Sequence, residues 1–132
     1  MKRARIVTQR LDDGVWVIAV DGEYDISNRR DLVADLELVF AIGTRLVLDL
    51  SRTMLIDSTV LGLVVNAHKR AERATGAFAV VAPRYRAARR LFELTQAMTI
   101  LPTFATRSEA VAWCRRTDAS AQSGDVVPVP AG

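Results

Sequence analysis

Leu48-Asp49-Leu50-Ser51-Arg52-Thr53-Met54-Leu55-Ile56-Asp57-Ser58-Thr59-Val60-Leu61-Gly62-Leu63 is the stretch that decides how this chain folds. An apolar strand, Leu46 to Leu50, ends inside it. A short loop is expected next. Asp57 and Ser58 are both favourable helix caps, and an apolar helix should follow, from about Ser58 to Ala74, with Gly76 just past its end. Strand, loop, cap and helix in that order put Ser58 beyond the carboxyl end of a buried strand. Functional groups gather at that place in open α/β sheets.

Upstream, Asp13-Gly14 is a hairpin signal between residues 4–9 and 15–22. Val15 to Val20 is apolar at every position. Such a strand belongs inside a sheet covered on both faces. Leu32, Val33, Leu36, Val39 and Phe40 recur at helical spacing, so residues 27–41 should form a helix capped by Ser27 and ended by Gly43. Downstream, Ala77 to Ala82 reads as a strand. Pro83 should open a helix through about Ala97, with Tyr85, Ala88, Leu91, Phe92 and Thr95 as its inner stripe. Ile100 to Phe104, interrupted by Pro102, suggests a short edge strand. Ser108 to Arg116 reads as a last helix.

The resulting order is β-β-α-β-α-β-α-β-α. Strand and helix alternation after residue 44 predicts parallel pairing through right-handed crossovers, and the first hairpin makes the sheet mixed. The expectation is an α/β fold with a mixed sheet of four or five strands and about four helices. It occupies residues 1–117 as one domain. Residues 118–132 lack periodicity and are expected to form a disordered tail.

Composition narrows the function. Half of the 132 residues are hydrophobic and a quarter are charged, an ordinary globular balance. No apolar run approaches the ~20 residues that a membrane span needs. The basic start, Met1 to Arg5, leads into Thr8, Gln9, Arg10, Asp12 and Asp13 rather than an apolar secretory segment, so a cytoplasmic location is expected. The single cysteine, Cys114, cannot form an internal disulfide, and beside Trp113 it reads as a small buried hydrophobe. The net charge of +3 becomes +5 once Asp118 and Asp125 of the tail are set aside. Arg used as a general solubilising residue accounts for this.

The first turn of a helix has backbone N–H groups without intrahelical partners, and the helix dipole adds partial positive charge. A phosphate on Ser58 would bring about −1.5 to −2 charge to that end at pH 7. The helix would tolerate it. A partner docked against a neutral Ser58 would meet a bulky anion, and Asp57 would add to the repulsion. Spacing alone favours Asp57 and Ser58 serving only as a cap, because Asp and Ser are the commonest caps.

At these residues the sequence resembles the STAS family, the domain of bacterial anti-anti-sigma factors. Asp49-Leu50-Ser51 followed by Ile56-Asp57-Ser58-Thr59-Val60-Leu61-Gly62 looks like the family's D-x-S…[FI]-[IM]-D-S-[ST]-G-L-G signature. Gly22-Glu23-Tyr24-Asp25 looks like its G-E-[LIF]-D. The resemblance covers roughly residues 5–116. It implies an anti-sigma factor antagonist, not an enzyme, that binds an anti-sigma factor serine/threonine kinase. The serine phosphorylated in the family corresponds to Ser58, and a serine phosphatase reverses the modification. Asp25, Asp57, Ser58, Thr59, Val60, Leu61 and Gly62 are the partner-binding residues that it implies. Val60 stands where the family often has Gly. Two residues past the cap, it is expected to be helical and to alter only the shape of the surface. STAS-like domains also serve as non-phosphorylated subunits of membrane transporters, which is the alternative reading.

Other chemistry finds little support. His68, the only histidine, lies ten residues after Ser58 on the expected helix, about 15 Å along its axis, and cannot form a dyad with it. It reads as a helix-face residue. No second His and no clustered Cys supply a metal site. No Gly-rich phosphate loop is present, so the chain should not be its own kinase, and no cofactor is expected. Arg84, Arg86, Arg89 and Arg90 crowd the third helix without interleaved aromatic residues. They read as a solvated face, or as a patch steering an acidic partner, rather than as a nucleic-acid interface. Trp16 and Trp113 read as core.

Overall fold

Gly14 takes a positive φ of +87°, a conformation that glycine adopts without steric cost, and reverses the chain between β1 (Arg5–Arg10) and β2 (Trp16–Tyr24). The two strands pair antiparallel, from Arg5 opposite Asp21 to Arg10 opposite Trp16. In this computed structural model the residues described are 5–11, 13–24, 29–42, 45–74 and 76–116. The expected Ser27 cap, the Gly43 stop, Asp25 and the tail from residue 118 lie outside them.

Beyond the hairpin come α1 (Arg29–Ile42), β3 (Arg45–Asp49), β4 (Thr53–Ile56), α2 (Ser58–Arg73) and β5 (Ala77–Val81). They are followed by α3 (Arg86–Leu94), α4 (Ala97–Ile100), β6 (Thr103–Phe104) and α5 (Arg107–Arg116). The sheet runs β1-β2-β3-β5-β6, with β4 also paired to β2. The β2–β3, β3–β5 and β5–β6 pairs are parallel, so the expected mixed α/β sheet is present. Six strands and five helices form among the described residues, one strand more than the expected upper count.

The extra strand is β4, expected as loop. It runs parallel to the far end of β2, with Gly22 opposite Thr53 and Tyr24 opposite Ile56. A register shift between Gly22 and Glu23, where Gly22 has φ +97°, separates this pairing from the β2–β3 ladder. Four residues carry too little periodicity to announce a strand. The pairing is anchored instead by tertiary bonds, including one from the buried Thr53 hydroxyl to the Val20 carbonyl at 2.8 Å.

The expected helix from Pro83 to Ala97 is shorter and divided. Its first residue is Arg86, and Gln96 adopts a left-handed conformation, φ 57°, between α3 and α4. The Thr95 hydroxyl donates to the Leu91 carbonyl at 2.7 Å, on the last turn before the break. The inner stripe is correspondingly shorter than expected. Ala88 and Phe92 are fully buried and Leu91 is half-buried, whereas Tyr85 and Thr95 are exposed.

Alternation along the central strands builds two cores, one on each face. Ile18, Val20, Leu46, Leu48, Phe78 and Val80 face α1, α2 and α3. Val15, Val17, Val47, Ala79 and Val81 face α5, which supplies Ala110, Val111, Trp113 and Cys114. Trp113 tilts against Phe104 with ring centroids 5.8 Å apart. Trp16 is only half-buried, packed at the margin of the first core.

Candidate functional site at the start of helix α2

Asp57 is the N-cap of α2. Its backbone is extended (φ −94°, ψ 169°), and its carboxylate accepts from the Val60 backbone N–H at 2.8 Å. Its carbonyl accepts the first helical bond, from Leu61 at 3.0 Å. Ser58 is the first helical residue and is exposed. Because Asp57 does the capping, no hydrogen bond among the described residues engages the Ser58 hydroxyl.

Helical geometry then sorts the residues that follow. Val60, Val64, Ala67 and Ala71 recur on the inner face and are buried. Val60 is 0% exposed. The expectation that it only reshapes the surface is therefore corrected: it is a core residue, out of a partner's reach. Ser58, Thr59 and Gly62 face solvent, and Asp57 is half-buried. Leu61 is largely buried, yet it edges a groove of about 200 Å³ between α2 and α4. Ser58, Gly62, Val65, Thr95, Ala97 and Ile100 form the rest of its lining. A Cβ on Gly62 would meet nothing within 4 Å.

The opposite wall of this groove was not anticipated. Ile100 was expected in the last strand, and the sequence around Gln96 carries no turn signal such as Gly or Pro. The left-handed Gln96 produces α4, and α4 carries Ala97 and Ile100 to the groove.

The turn before β4 is built on Asp49, which is 5% exposed. Its Oδ1 accepts from the Ser51 backbone N–H at 2.9 Å and from the Ser51 hydroxyl at 2.6 Å. Its Oδ2 accepts from Arg107 Nε at 2.8 Å. The D-x-S half of the motif is thus a turn that aims β4, and β4 delivers Asp57 and Ser58.

The profile of the STAS domain matches residues 7–110. The chain belongs to the STAS domain family. Among solved structures it is similar to an anti-sigma factor antagonist from Mycobacterium paratuberculosis, at 29% identity and TM-score 0.76, over 86% of this chain and 95% of that one. It also shares its fold with SpoIIAA, an anti-sigma factor antagonist, in the unphosphorylated form, at 22% identity and TM-score 0.65, over 88% and 97% of the two chains. The phosphorylated form of the Bacillus cell-fate determinant SpoIIAA aligns at 20% identity and TM-score 0.64, over 83% and 98%. No curated protein matches the sequence.

The remaining candidate groups of this STAS domain lie apart from the α2 start. His68 is on the inner face of α2, with its Nε2 3.6 Å from Glu72 and its ring 6.2 Å from that of Phe78. Its buried Nδ1 has no hydrogen-bond partner. Burial lowers its pKa below the ordinary imidazole value, and Glu72 pulls the other way. Among the described residues no group of three His, Cys, Asp or Glu could hold a metal ion, and no helix is long and apolar enough to cross a membrane. Arg84, Arg86, Arg89 and Arg90 are all exposed, with Arg89 3.6 Å from Glu93. A larger cleft of about 410 Å³ runs between α1 and α2 past Leu36, Leu63, Ala67 and Arg73, and Ser58 does not line it.

Proposed function

We propose that this STAS domain is a cytoplasmic anti-sigma factor antagonist that binds an anti-sigma factor serine kinase through the start of α2 and is released when Ser58 is phosphorylated. A serine phosphatase would then restore the binding form. The observation that carries this reading is the pairing of an exposed, uncapped Ser58 with Gly62 on the rim of one groove. A helical glycine costs roughly 0.5–1 kcal/mol relative to alanine. Nothing among the described residues requires it at residue 62, since a side chain would meet none of them within 4 Å. Close approach by a partner gives that glycine a purpose.

The electrostatics support release. A phosphate at Ser58 would stand beside the Asp57 carboxylate, which already occupies the Val60 N–H. The added anion would occupy the mouth of an apolar groove and repel whatever had packed there. Asp25 is assigned to the same partner surface by the family motif, and it directly follows Tyr24 in the sequence.

Incubation with ATP and the cognate anti-sigma kinase, followed by mass spectrometry, tests the proposal. A single phosphate on Ser58 is expected. Phosphate on another residue, or none with any candidate kinase, would sink it. Ser58→Asp should weaken kinase binding and Ser58→Ala should preserve it. Equal affinities would count against the gate, and stable co-purification of unphosphorylated protein with a membrane transporter would favour the structural-subunit alternative.

A further inference from the structure

We propose that Arg107 is a positioning residue for the Ser58 segment, acting through Asp49 from the opposite side of the sheet. The inference rests on the reading that the α2 start is the partner-binding surface. Arg107 is the first residue of α5, which packs on the face away from α2. Asp49 follows Val47 on the α5-facing side of β3, and Arg107 Nε donates to its Oδ2 at 2.8 Å. The Asp49 carboxylate is buried, whereas the Arg107 side chain is half-exposed.

Both oxygens of Asp49 are therefore committed. The bond from Arg107 fixes the rotation of the carboxylate plane, and that rotation points Oδ1 at Ser51. Two bonds from Ser51 then close the turn. The Thr53 N–H donates to the Leu50 carbonyl at 2.9 Å and completes the reversal. The Arg52 carbonyl accepts from the Gly22 N–H at 3.1 Å, and the Ser51 carbonyl from the Arg84 N–H at 3.3 Å. β4 follows directly, and Ser58 comes two residues after its end. The path from Arg107 to Ser58 thus runs through one carboxylate, one turn and one four-residue strand.

A buried carboxylate that loses its cation is strongly unfavourable, so it must rotate toward water or draw water in. Either change releases Ser51. β4 keeps its pairing with β2, the Thr53 bond and the burial of Ile56, but loses the turn that sets where it begins. The α2 start would sample several positions while the α5 side of the sheet keeps its packing.

Hydrogen–deuterium exchange of the free full-length protein tests this without any kinase. Failure of the phosphorylation proposal and failure of this one are therefore separate results. In Arg107→Gln, exchange across residues 51–62 should rise by about tenfold, with β1 and residues 16–20 of β2 unchanged. Arg107→Lys, which keeps a cation but lacks the Nε geometry, should lie between this variant and wild type. Asp49→Asn combined with Arg107→Gln removes the stranded charge and tests the turn itself, and residues 51–62 should still exchange faster than in wild type. Unchanged exchange in that segment for all three variants overturns the proposal. So does an increase spread evenly along the chain, which would mark Arg107 as a general stabiliser. Should Arg107→Gln fail to fold, the Lys variant decides: faster exchange confined to 51–62 supports the proposal, and a wild-type pattern overturns it.

Discussion

Ser58 and Gly62 stand one helical turn apart on the exposed side of α2 and border the same groove. Neither is required there by packing against the described residues. Replacing Gly62 by alanine should raise stability by about 0.5–1 kcal/mol, because backbone freedom is lost from the unfolded chain and nothing clashes in the folded one. Replacing it by leucine should fill the groove and weaken partner binding. Thermal unfolding and titration of the partner read the two effects separately. A Gly62→Ala protein that melts at a lower temperature would contradict the open space above that residue.

Val60 should respond in the opposite way. Its side chain is wholly enclosed by the core on the helical face of the sheet. Val60→Gly restores the residue common in the family signature, yet it removes packing and adds helix entropy. A loss of about 2–3 kcal/mol in chemical denaturation is expected. Little or no loss would mean that the core collapses readily around the site.

Asp57→Ala should cost about 1 kcal/mol, since the Val60 N–H loses its acceptor. The loss should be visible in urea unfolding. Asp57→Asn should recover most of it, because the amide oxygen caps equally well. Recovery of stability without recovery of partner binding would separate the cap from the negative charge.

His68 makes stability depend on pH. Burial lowers its folded-state pKa below 6.5, so the unfolded chain takes up a proton first as pH falls. The stability it contributes is complete above about pH 6.5 and is lost on acidification toward the folded pKa. The melting temperature should therefore fall between pH 7.5 and 5.5, and His68→Leu should flatten that slope. An equal slope in both proteins would exclude His68 as the cause.

Cys114 is pushed up to about 12, chiefly by burial. It should react with thiol reagents only as fast as the domain unfolds. Rapid labelling under native conditions would show that α5 opens on its own.

The periodic elements were legible before the structure, and the reasons are local. β2 is apolar at consecutive positions because both of its faces are covered, as Val17 and Ile18 show from opposite cores. Asp57 and Ser58 announced the start of α2 through ordinary cap chemistry. What remained hidden depends on contacts far apart in sequence. β4 owes its pairing to β2, some 30 residues upstream, as the Thr53 bond to Val20 illustrates. The role of Val60 depended on which side of α2 meets the sheet. Gln96 is left-handed without being glycine or asparagine, so no residue type flagged the break that makes α4. Arg107 looked like one arginine among many until the fold brought it to Asp49.

The division of labour around the groove has a consequence for how such proteins diversify. Ser58, the proposed phosphate acceptor, and its neighbour Asp57 sit at the start of α2, while the facing wall belongs to α4, a four-residue helix with Thr99 and Ile100 exposed. Exposed positions of this kind change at little cost to stability. A duplicated copy of this chain could drift at α4 and acquire a new preferred partner while Ser58 and its chemistry stay intact. Parallel signalling lines built from one ancestral scaffold could thus be insulated by a handful of surface substitutions.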